Sequence, residues 1–307
     1  MKRIVVRAKS HFSLVSVMRD GGFLKAHGLD PEFEVIDQAA VADEELKTGK
    51  ADVIFGSHVT PYLHFDDGEP LVYLAQTMNM VQENFASKEP ISDLSEMAGK
   101  RLAMHSLFDQ EGKFAGHPRG NRELMLERAG IGGNAVECVG YGNSGRSRDR
   151  FDVIVRGEAD GTFVGRQETR RAVESGLHIL PLDGLPMIYF VTVTTTSDKV
   201  LEHSEQGSFD KLLRAISEAV LYFKSNPDGT LKILQNYGDL LEYQDDADMR
   251  DRYQAEAESL DPSLLPRLDS IRNAFRLAEY VRPDLSERVN PLALWDLHFA
   301  HALRRPR

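Results

Sequence analysis

The sequence predicts an α/β protein made of two similar lobes, and one repeated segment carries this prediction. The segment 49–58 (GKADVIFGSH) has the pattern of a helix end, a glycine turn, a short apolar strand and a polar loop. A similar pattern returns at 157–163 (GEADGTF), after a second series of helices and strands. Two copies of one device indicate two α/β lobes that face each other, with the ligand in a cleft between them.

The composition sets limits on the class of protein. The chain has 307 residues, which is enough for two domains of roughly 100–200 residues each. Its 37 basic and 48 acidic residues give a net charge of −11, which disfavours binding to nucleic acid. A single cysteine excludes an internal disulfide and a cysteine-based metal site.

The sequence also contains no candidate membrane span, because no run approaches about 20 apolar residues. The N-terminus enters a strand at once, without the apolar stretch and cleavage site of a signal peptide. We therefore predict a cytoplasmic protein if Met1 is the natural start, and a periplasmic one if a signal peptide has been removed.

The first lobe is predicted to begin with alternating strands and helices. Glycines close its first helices, Pro61 favours a helix start, and apolar residues alternate in its strands. The expected elements are a strand at 4–8, a helix ending at 21–22, a helical turn at 23–29, a strand at 32–36, a helix at 42–48, a strand before Gly56, a helix from 60 and a strand at 71–78.

A second lobe is predicted to follow as an insertion in the first. A capped short helix at 92–100 leads into it, and a β-rich segment at 187–193 returns the chain. The expected elements between these points are strands at 101–104, 135–139, 161–164 and 178–181, and helices that include 121–129 and 168–174. The rest is mostly helical, including 209–223, 264–279 and 291–303. The predicted domains are 1–95 plus 190–307, and 96–189.

This order of elements resembles the type II periplasmic-binding-protein fold, in its aliphatic-sulfonate and thiamine-pyrimidine-precursor branch. The resemblance covers roughly residues 4–300. It rests on the motifs 22–29 (GFLKAHGL), 49–52 (GKAD), 91–94 (ISDL) with 99–102 (GKRL), 157–160 (GEAD) and 290–296 (NPLALWD).

The resemblance implies two kinds of function. Most members of this branch are exported receptors of membrane importers, whereas a smaller set are cytoplasmic enzymes. These enzymes are aryl sulfinate desulfinases, dihydroxyphthalate decarboxylases, pyrimidine-precursor synthases, and dehydratases and lyases of the futalosine menaquinone route. Lys9, Ser10 and His11 stand where the cysteine nucleophile of the desulfinases is expected, and the cysteine cluster of the synthases is absent.

Three histidines are the predicted catalytic residues. His11, His58 and His105 each follow a predicted strand, in a loop that the fold turns toward the cleft. Neutral imidazole exchanges a proton near pH 7, so a group of them suits proton transfer to carbon. The alternative is that these loop histidines only hydrogen-bond the backbone or face water. We predict no protein metal site and no cofactor, although the histidines would also suit a divalent metal ion.

A further set of residues is predicted to bind the substrate. Arg119 and the helix start near Asn121 suit a carboxylate, while aromatic side chains suit the walls around a flat ligand. The competing interpretations are a capped helix with a solvated arginine, and ordinary core packing of the aromatic residues. The predicted binding residues are Ser10, Phe12, Ser57, His64, Ser106, His117, Arg119, Asn121, Phe163 and Tyr189.

Together these observations favour a cytoplasmic enzyme that acts on a small anionic or aromatic ligand. The expected reaction is a proton-transfer lyase step on a carboxylated substrate, such as a decarboxylation. The alternative is a binding protein without catalysis, either the receptor of an ABC importer with a permease as partner, or a cytoplasmic small-molecule sensor.

Overall fold

The computed structural model describes most of the chain. The described residues are 2–9, 12–36, 39–56, 59–66, 68, 70–79, 83–105, 124–132, 135–141, 147–182, 191–204, 206–241 and 243–303. The strands within them are β1 (Lys2–Ala8), β2 (Leu29–Val35), β3 (Val53–Phe55), β4 (Leu71–Met78), β5 (Glu83–Ser87), β6 (Arg101–His105), β7 (Glu137–Tyr141), β8 (Gly161–Gly165), β9 (His178–Leu180) and β10 (Val191–Thr196).

These strands form two five-stranded sheets with the same topology. The first has the order β2-β1-β3-β10-β4, and the second has the order β7-β6-β8-β5-β9. In the first sheet β1 is parallel to β2 and β3, and β10 runs antiparallel between β3 and β4. In the second sheet β6 is parallel to β7 and β8, and β5 runs antiparallel between β8 and β9. The prediction of a two-lobe α/β fold is confirmed.

The repeated segments 49–58 and 157–163 have the same backbone role in the two sheets. Gly49 and Gly157 end their helices with φ of 73° and 78°, a left-handed conformation that glycine adopts without a Cβ penalty. The N–H of Asp52 then donates to the carbonyl of Val5 at 2.9 Å. Its carboxylate accepts from the N–H of Val5 at 2.7 Å.

Asp160 makes the matching pair of contacts in the second sheet. Its N–H donates to the carbonyl of Arg101 at 2.8 Å. Its carboxylate accepts from the N–H of Arg101, also at 2.8 Å. Each aspartate thus joins the start of a central strand to the strand before it in the sheet. The repeat therefore serves the framework of each unit.

Helices cover much of the remaining described chain. The longest, Ser208–Ser225, buries an apolar face that includes Leu212, Ile216 and Phe223, and it packs against the first two helices. The other α-helices are Phe12–Asp20, Phe23–Ala26, Ala39–Lys47, Thr60–Leu63, Ser147–Val155, Thr169–Glu174, Ser197–Ser204, Pro227–Leu234, Gly238–Leu241, Asp246–Ser259, Leu268–Glu279, Leu285–Arg288 and His298–Ala302. Short 3₁₀ helices lie at Leu94–Met97, Arg166–Glu168, Gln235–Tyr237 and Pro291–Leu294.

The chain divides into two compact units whose bounds differ from the predicted domains. The first unit comprises 1–79, 189–272 and 288–307, and the second comprises 80–188 and 273–287. The second unit starts earlier than the predicted residue 96, because β5 pairs with β8 and β9. β5 is not among the strands that the sequence predicts.

The prediction of one continuous helix at 291–303 is wrong. The structure has a 3₁₀ helix at Pro291–Leu294 and a separate helix at His298–Ala302. Trp295 lies between them, where its ring stacks on Tyr73 at a centroid distance of 4.5 Å. Its indole Nε1 donates to the hydroxyl of Tyr62 at 3.1 Å. Trp295 has extended backbone geometry and forms a β-bridge with Tyr73, and the N–H of Asp296 donates to the carbonyl of Tyr73 at 2.9 Å, so the helix is interrupted here.

Within the described part of the chain, none of the helices combines the length and the apolar character that crossing a bilayer would require.

Candidate functional site

The carboxyl ends of β1 and β3 lie side by side at one edge of the first sheet. The two strands are parallel, with Ala8 opposite Phe55, and the N–H of Lys9 donates to the carbonyl of Phe55 at 3.0 Å. The chain therefore leaves both strands at the same edge. In open α/β sheets this edge is where ligands bind, because loops and helix N-termini meet there. We call it the first-unit edge.

Lys9 contributes a buried amine to the first-unit edge. Its side chain is 7% exposed, and its Nζ lies 2.6 Å from Oδ1 of Asp43. Burial lowers the pKa of Lys9 below the ordinary value of a lysine, although the carboxylate of Asp43 acts in the opposite direction. An amine with a lowered pKa releases its proton more easily than a surface lysine does.

Glu256 contributes a buried carboxyl group at the first turn of the helix Phe12–Asp20. The hydroxyl of Ser13 donates to Oε2 of Glu256, and the backbone N–H of Leu14 also hydrogen-bonds the carboxyl group. The other oxygen, Oε1, is buried and has no hydrogen-bond partner. Burial raises the pKa of Glu256 to about 7, and these hydrogen bonds and Arg252 offset only part of the effect.

Arg252 and Tyr243 interact electrostatically with this carboxyl group, and Asp248 pairs with Arg252. The guanidinium of Arg252 lies over the ring of Tyr243, 5.0 Å from its centroid, and its Nη1 is 3.7 Å from Oδ2 of Asp248. Burial raises the pKa of Tyr243, and the nearby carboxylates of Glu256 and Asp248 add to this. Asp248 is buried and accepts from the N–H of Gln244 at 3.1 Å. We call Ser13, Tyr243, Asp248, Arg252 and Glu256 the Glu256 cluster.

One predicted binding residue of the second unit lies in the middle of β8. Phe163 in β8 is half-buried, and its ring meets that of Phe85 edge to face at 5.2 Å. Nη1 of Arg150 donates to the carbonyl of Phe163 at 3.1 Å, and Arg150 also pairs with Glu168. Phe163 thus packs on Phe85, and its predicted contact with a ligand stays a prediction.

The structure describes only a few of the sequence-predicted site residues. Phe12 is the half-buried first residue of its helix, and His64 is half-buried just after Thr60–Leu63. His105 ends β6, so its backbone lies at the carboxyl edge of the second sheet. The remaining predicted residues lie outside the described part: Ser10, His11, Ser57, His58, Ser106, His117, Arg119, Asn121 and Tyr189. Their roles stay predictions.

No group of three or more histidine, cysteine, aspartate or glutamate side chains that could hold a metal ion occurs among the described residues. The predicted histidines that would suit a metal ion are mostly outside this part of the chain, so metal binding stays untested.

Neither Glu256 nor Lys9 is among the site residues that the sequence predicts. A signal for Glu256 exists in the spacing of its helix. Met249, Tyr253 and Leu260 are buried, and 249, 253, 256 and 260 follow the helical repeat, so Glu256 shares their inward face. A carboxyl group on an inward face is unusual, because its burial costs free energy unless it has a hydrogen-bond or ionic partner.

Comparison with known proteins agrees with this architecture. The fold is the type II periplasmic-binding-protein fold, because solved structures of that fold match nearly the whole chain. Residues 10–230 match the protein family described as NMT1/THI5 like. The chain belongs to this family. No curated protein sequence matches it.

Three solved structures illustrate the range of proteins that share the fold. The alkanesulfonate-binding protein SsuA from Xanthomonas axonopodis pv. citri, bound to MOPS, has a TM-score of 0.70 and 13% identity, covering 97% of this chain and 99% of its own. The periplasmic aliphatic sulphonate binding protein SsuA from Escherichia coli has a TM-score of 0.69 and 14% identity, with 92% and 88% coverage. The desulfurization enzyme DSZB has a TM-score of 0.62 and 17% identity, with 98% coverage of both chains.

Proposed function

We propose that this protein binds a small carboxylated ligand next to the first-unit edge and carries out a proton-transfer lyase step on it, such as a decarboxylation. The observation that supports this most is the carboxyl group of Glu256. This group lies beside the first helix of the unit, and its pKa is about 7. A general acid or base works best when its pKa is near the working pH.

Lys9, which directly follows β1, supports the same proposal. Burial lowers the pKa of its ammonium group, and Asp43 holds that group within 2.6 Å. Displaced pKa values of two groups at one strand edge are typical of catalytic sites, although structural ion pairs also produce them. In the proposed site, His11 and His58 join these groups, since they follow β1 and β3 in sequence.

The second unit has its own predicted residues for a carboxylate. Arg119 can meet a carboxylate with two parallel hydrogen bonds, and the helix start near Asn121 adds backbone donors. With His105, they remain the predicted ligand-binding and catalytic residues of the second unit.

A second candidate function is binding without catalysis, as the receptor of an importer or as a small-molecule sensor. The similarity to SsuA proteins, which are described as sulfonate-binding, favours this candidate. The similarity to DSZB, which is described as an enzyme, favours the first candidate. Because each identity is low, these similarities support the fold and do not identify the ligand or the reaction.

A thermal-shift screen followed by mass analysis separates the two candidates. The purified protein is tested with aromatic and aliphatic carboxylates, sulfonates and pyrimidines, with and without divalent metal. A true ligand raises the melting temperature by mass action. A hit that is recovered chemically changed supports the enzyme, and a hit that stays intact after long incubation supports the binding protein.

Variants then test the catalytic roles with a matched control. H58A and H105A should each lower turnover of an identified substrate by about 10²-fold or more, as expected for loss of an acid or base. H301A is the control, because His301 is exposed near the C-terminal end of the described chain. Full turnover by both H58A and H105A would contradict the proposed roles.

A further inference from the structure

At the first turn of the helix Phe12–Asp20, Glu256 occupies two donors that a ligand anion could otherwise use. The start of a helix after β1 normally suits an anion, since its N–H groups and its dipole favour negative charge. Here the hydroxyl of Ser13 and the N–H of Leu14 already bind the carboxyl group of Glu256. The protein supplies its own acid group at the place where a ligand acid group would bind.

The second oxygen of that carboxyl group lacks a partner. Oε1 of Glu256 is buried without any hydrogen bond, whereas Oε2 is satisfied by the helix start. A buried polar atom without a partner is costly, and native structures contain few of them. A donor supplied by a ligand would remove that cost.

The charges of the Glu256 cluster favour a donor that carries a positive charge. The cluster has two carboxyl groups, Asp248 and Glu256, and one guanidinium, Arg252. Arg252 is engaged with Asp248 and with the ring of Tyr243. The negative charge that ionised Glu256 adds is therefore not matched by a second cation in the cluster.

We propose that Glu256 is a specificity-determining residue, and that Oε1 accepts a hydrogen bond from a nitrogen of the ligand. The ligand class is then an acid that also bears an amine, an amidine or a ring N–H. Its acid group binds away from the first turn of the helix Phe12–Asp20. This inference rests on the proposed function, because it concerns the same ligand.

Nitrogen binding has a consequence that can be measured independently of affinity. The pKa of Glu256 is about 7 in the free protein, so the carboxyl group is close to half protonated at pH 7. A cationic nitrogen at Oε1 favours the ionised form and lowers this pKa. Binding should therefore release about half a proton per site at pH 7.

Three probes and two variants test the inference by isothermal titration calorimetry. The probes are benzoate, benzamidine and 4-amidinobenzoate, titrated at pH 7 in buffers of different ionisation enthalpy. The variants are E256Q, which keeps an oxygen for Ser13, and the control E258Q. Glu258 is exposed on the same helix and accepts from Gln254 at 2.9 Å. E258Q therefore removes one negative charge, as E256Q does, and leaves Oε1 of Glu256 in place.

We expect 4-amidinobenzoate to bind about 10–100-fold more tightly than benzoate, as a charge-assisted hydrogen bond predicts. E256Q should remove this advantage and the proton release, while E258Q keeps both. Equal binding of benzoate and 4-amidinobenzoate would overturn the inference and leave the proposed function standing.

Two other outcomes separate the inference from the proposed function. Binding of benzamidine that depends on Glu256, without binding of benzoate, supports the inference and contradicts the carboxylate part of the proposed function. Failure of all three probes at millimolar concentration counts against the proposed function and, with it, the inference.

Discussion

Replacing Glu256 with glutamine should change how the stability of the first unit depends on pH. The pKa of Glu256 is raised from 4.5 to about 7 in the folded protein, and its carboxyl group is buried. Between these two values the folded protein holds a proton that the unfolded chain has released. Unfolding then releases a proton, so the free energy of unfolding falls as pH rises through this window.

The size of the effect follows from the shift. A change from 4.5 to about 7 corresponds to about 3 kcal/mol lost between low pH and pH above 7. About 2 kcal/mol of this loss falls between pH 5.5 and pH 8.5. Glutamine is uncharged and still offers an oxygen to Ser13, so E256Q should lose this pH dependence. Its stability relative to the wild type should rise by about 2 kcal/mol over that interval.

Urea unfolding followed by tryptophan fluorescence is a suitable assay. Trp295 is the only tryptophan of the chain and belongs to the same unit as Glu256, so its signal reports on the unit that contains the substitution. The exposed E258Q serves as the control and should keep the wild-type pH dependence. If E256Q and the wild type show the same change in unfolding free energy from pH 5.5 to pH 8.5, the reasoning about the buried carboxyl group is refuted.

Three further substitutions test the framework. D52N should lower stability at pH 7 by about 2 kcal/mol in urea unfolding, whereas E202Q, which alters an exposed carboxylate, should cost less than about 1 kcal/mol. Because the pKa of Asp52 is lowered, its contribution is present above about pH 4 and is lost on acidification. G49A should cost about 1 kcal/mol by the same assay, because φ is 73° there. W295F should cost about 1 kcal/mol by circular dichroism, since it removes the donor to Tyr62; unchanged stability would contradict this role.

Local patterns were enough to predict most strands and helices. β4 was predicted with its observed bounds, and the amphipathic stretch at 209–223 lies within the helix Ser208–Ser225. Glycine turns and apolar periodicity act over a few residues, so a sequence reveals them directly. β5 was missed because its partners β8 and β9 come much later in the chain, and its own five residues carry little pattern.

The candidate site was harder to predict, for a related reason. Glu256 and Ser13 are 243 positions apart, and only the tertiary fold brings the carboxyl group to the first helix. The raised pKa arises from burial, which no local motif encodes. Prediction from loop positions instead selected histidines after strands, and His11 and His58 lie outside the described residues.

The matched contacts of Asp52 and Asp160 indicate where ligand specificity should be sought. Asp52 binds Val5 in β1 and Asp160 binds Arg101 in β6, each through its own N–H and its carboxylate. Residues that repeat in both units serve the common framework, so they cannot by themselves select a ligand. The carboxyl ends of the matched strands β1 and β6 differ, since Lys9 follows one and His105 ends the other. Substitutions that choose between ligands should therefore act at these ends and at Glu256, while substitutions in the repeat should change stability alone.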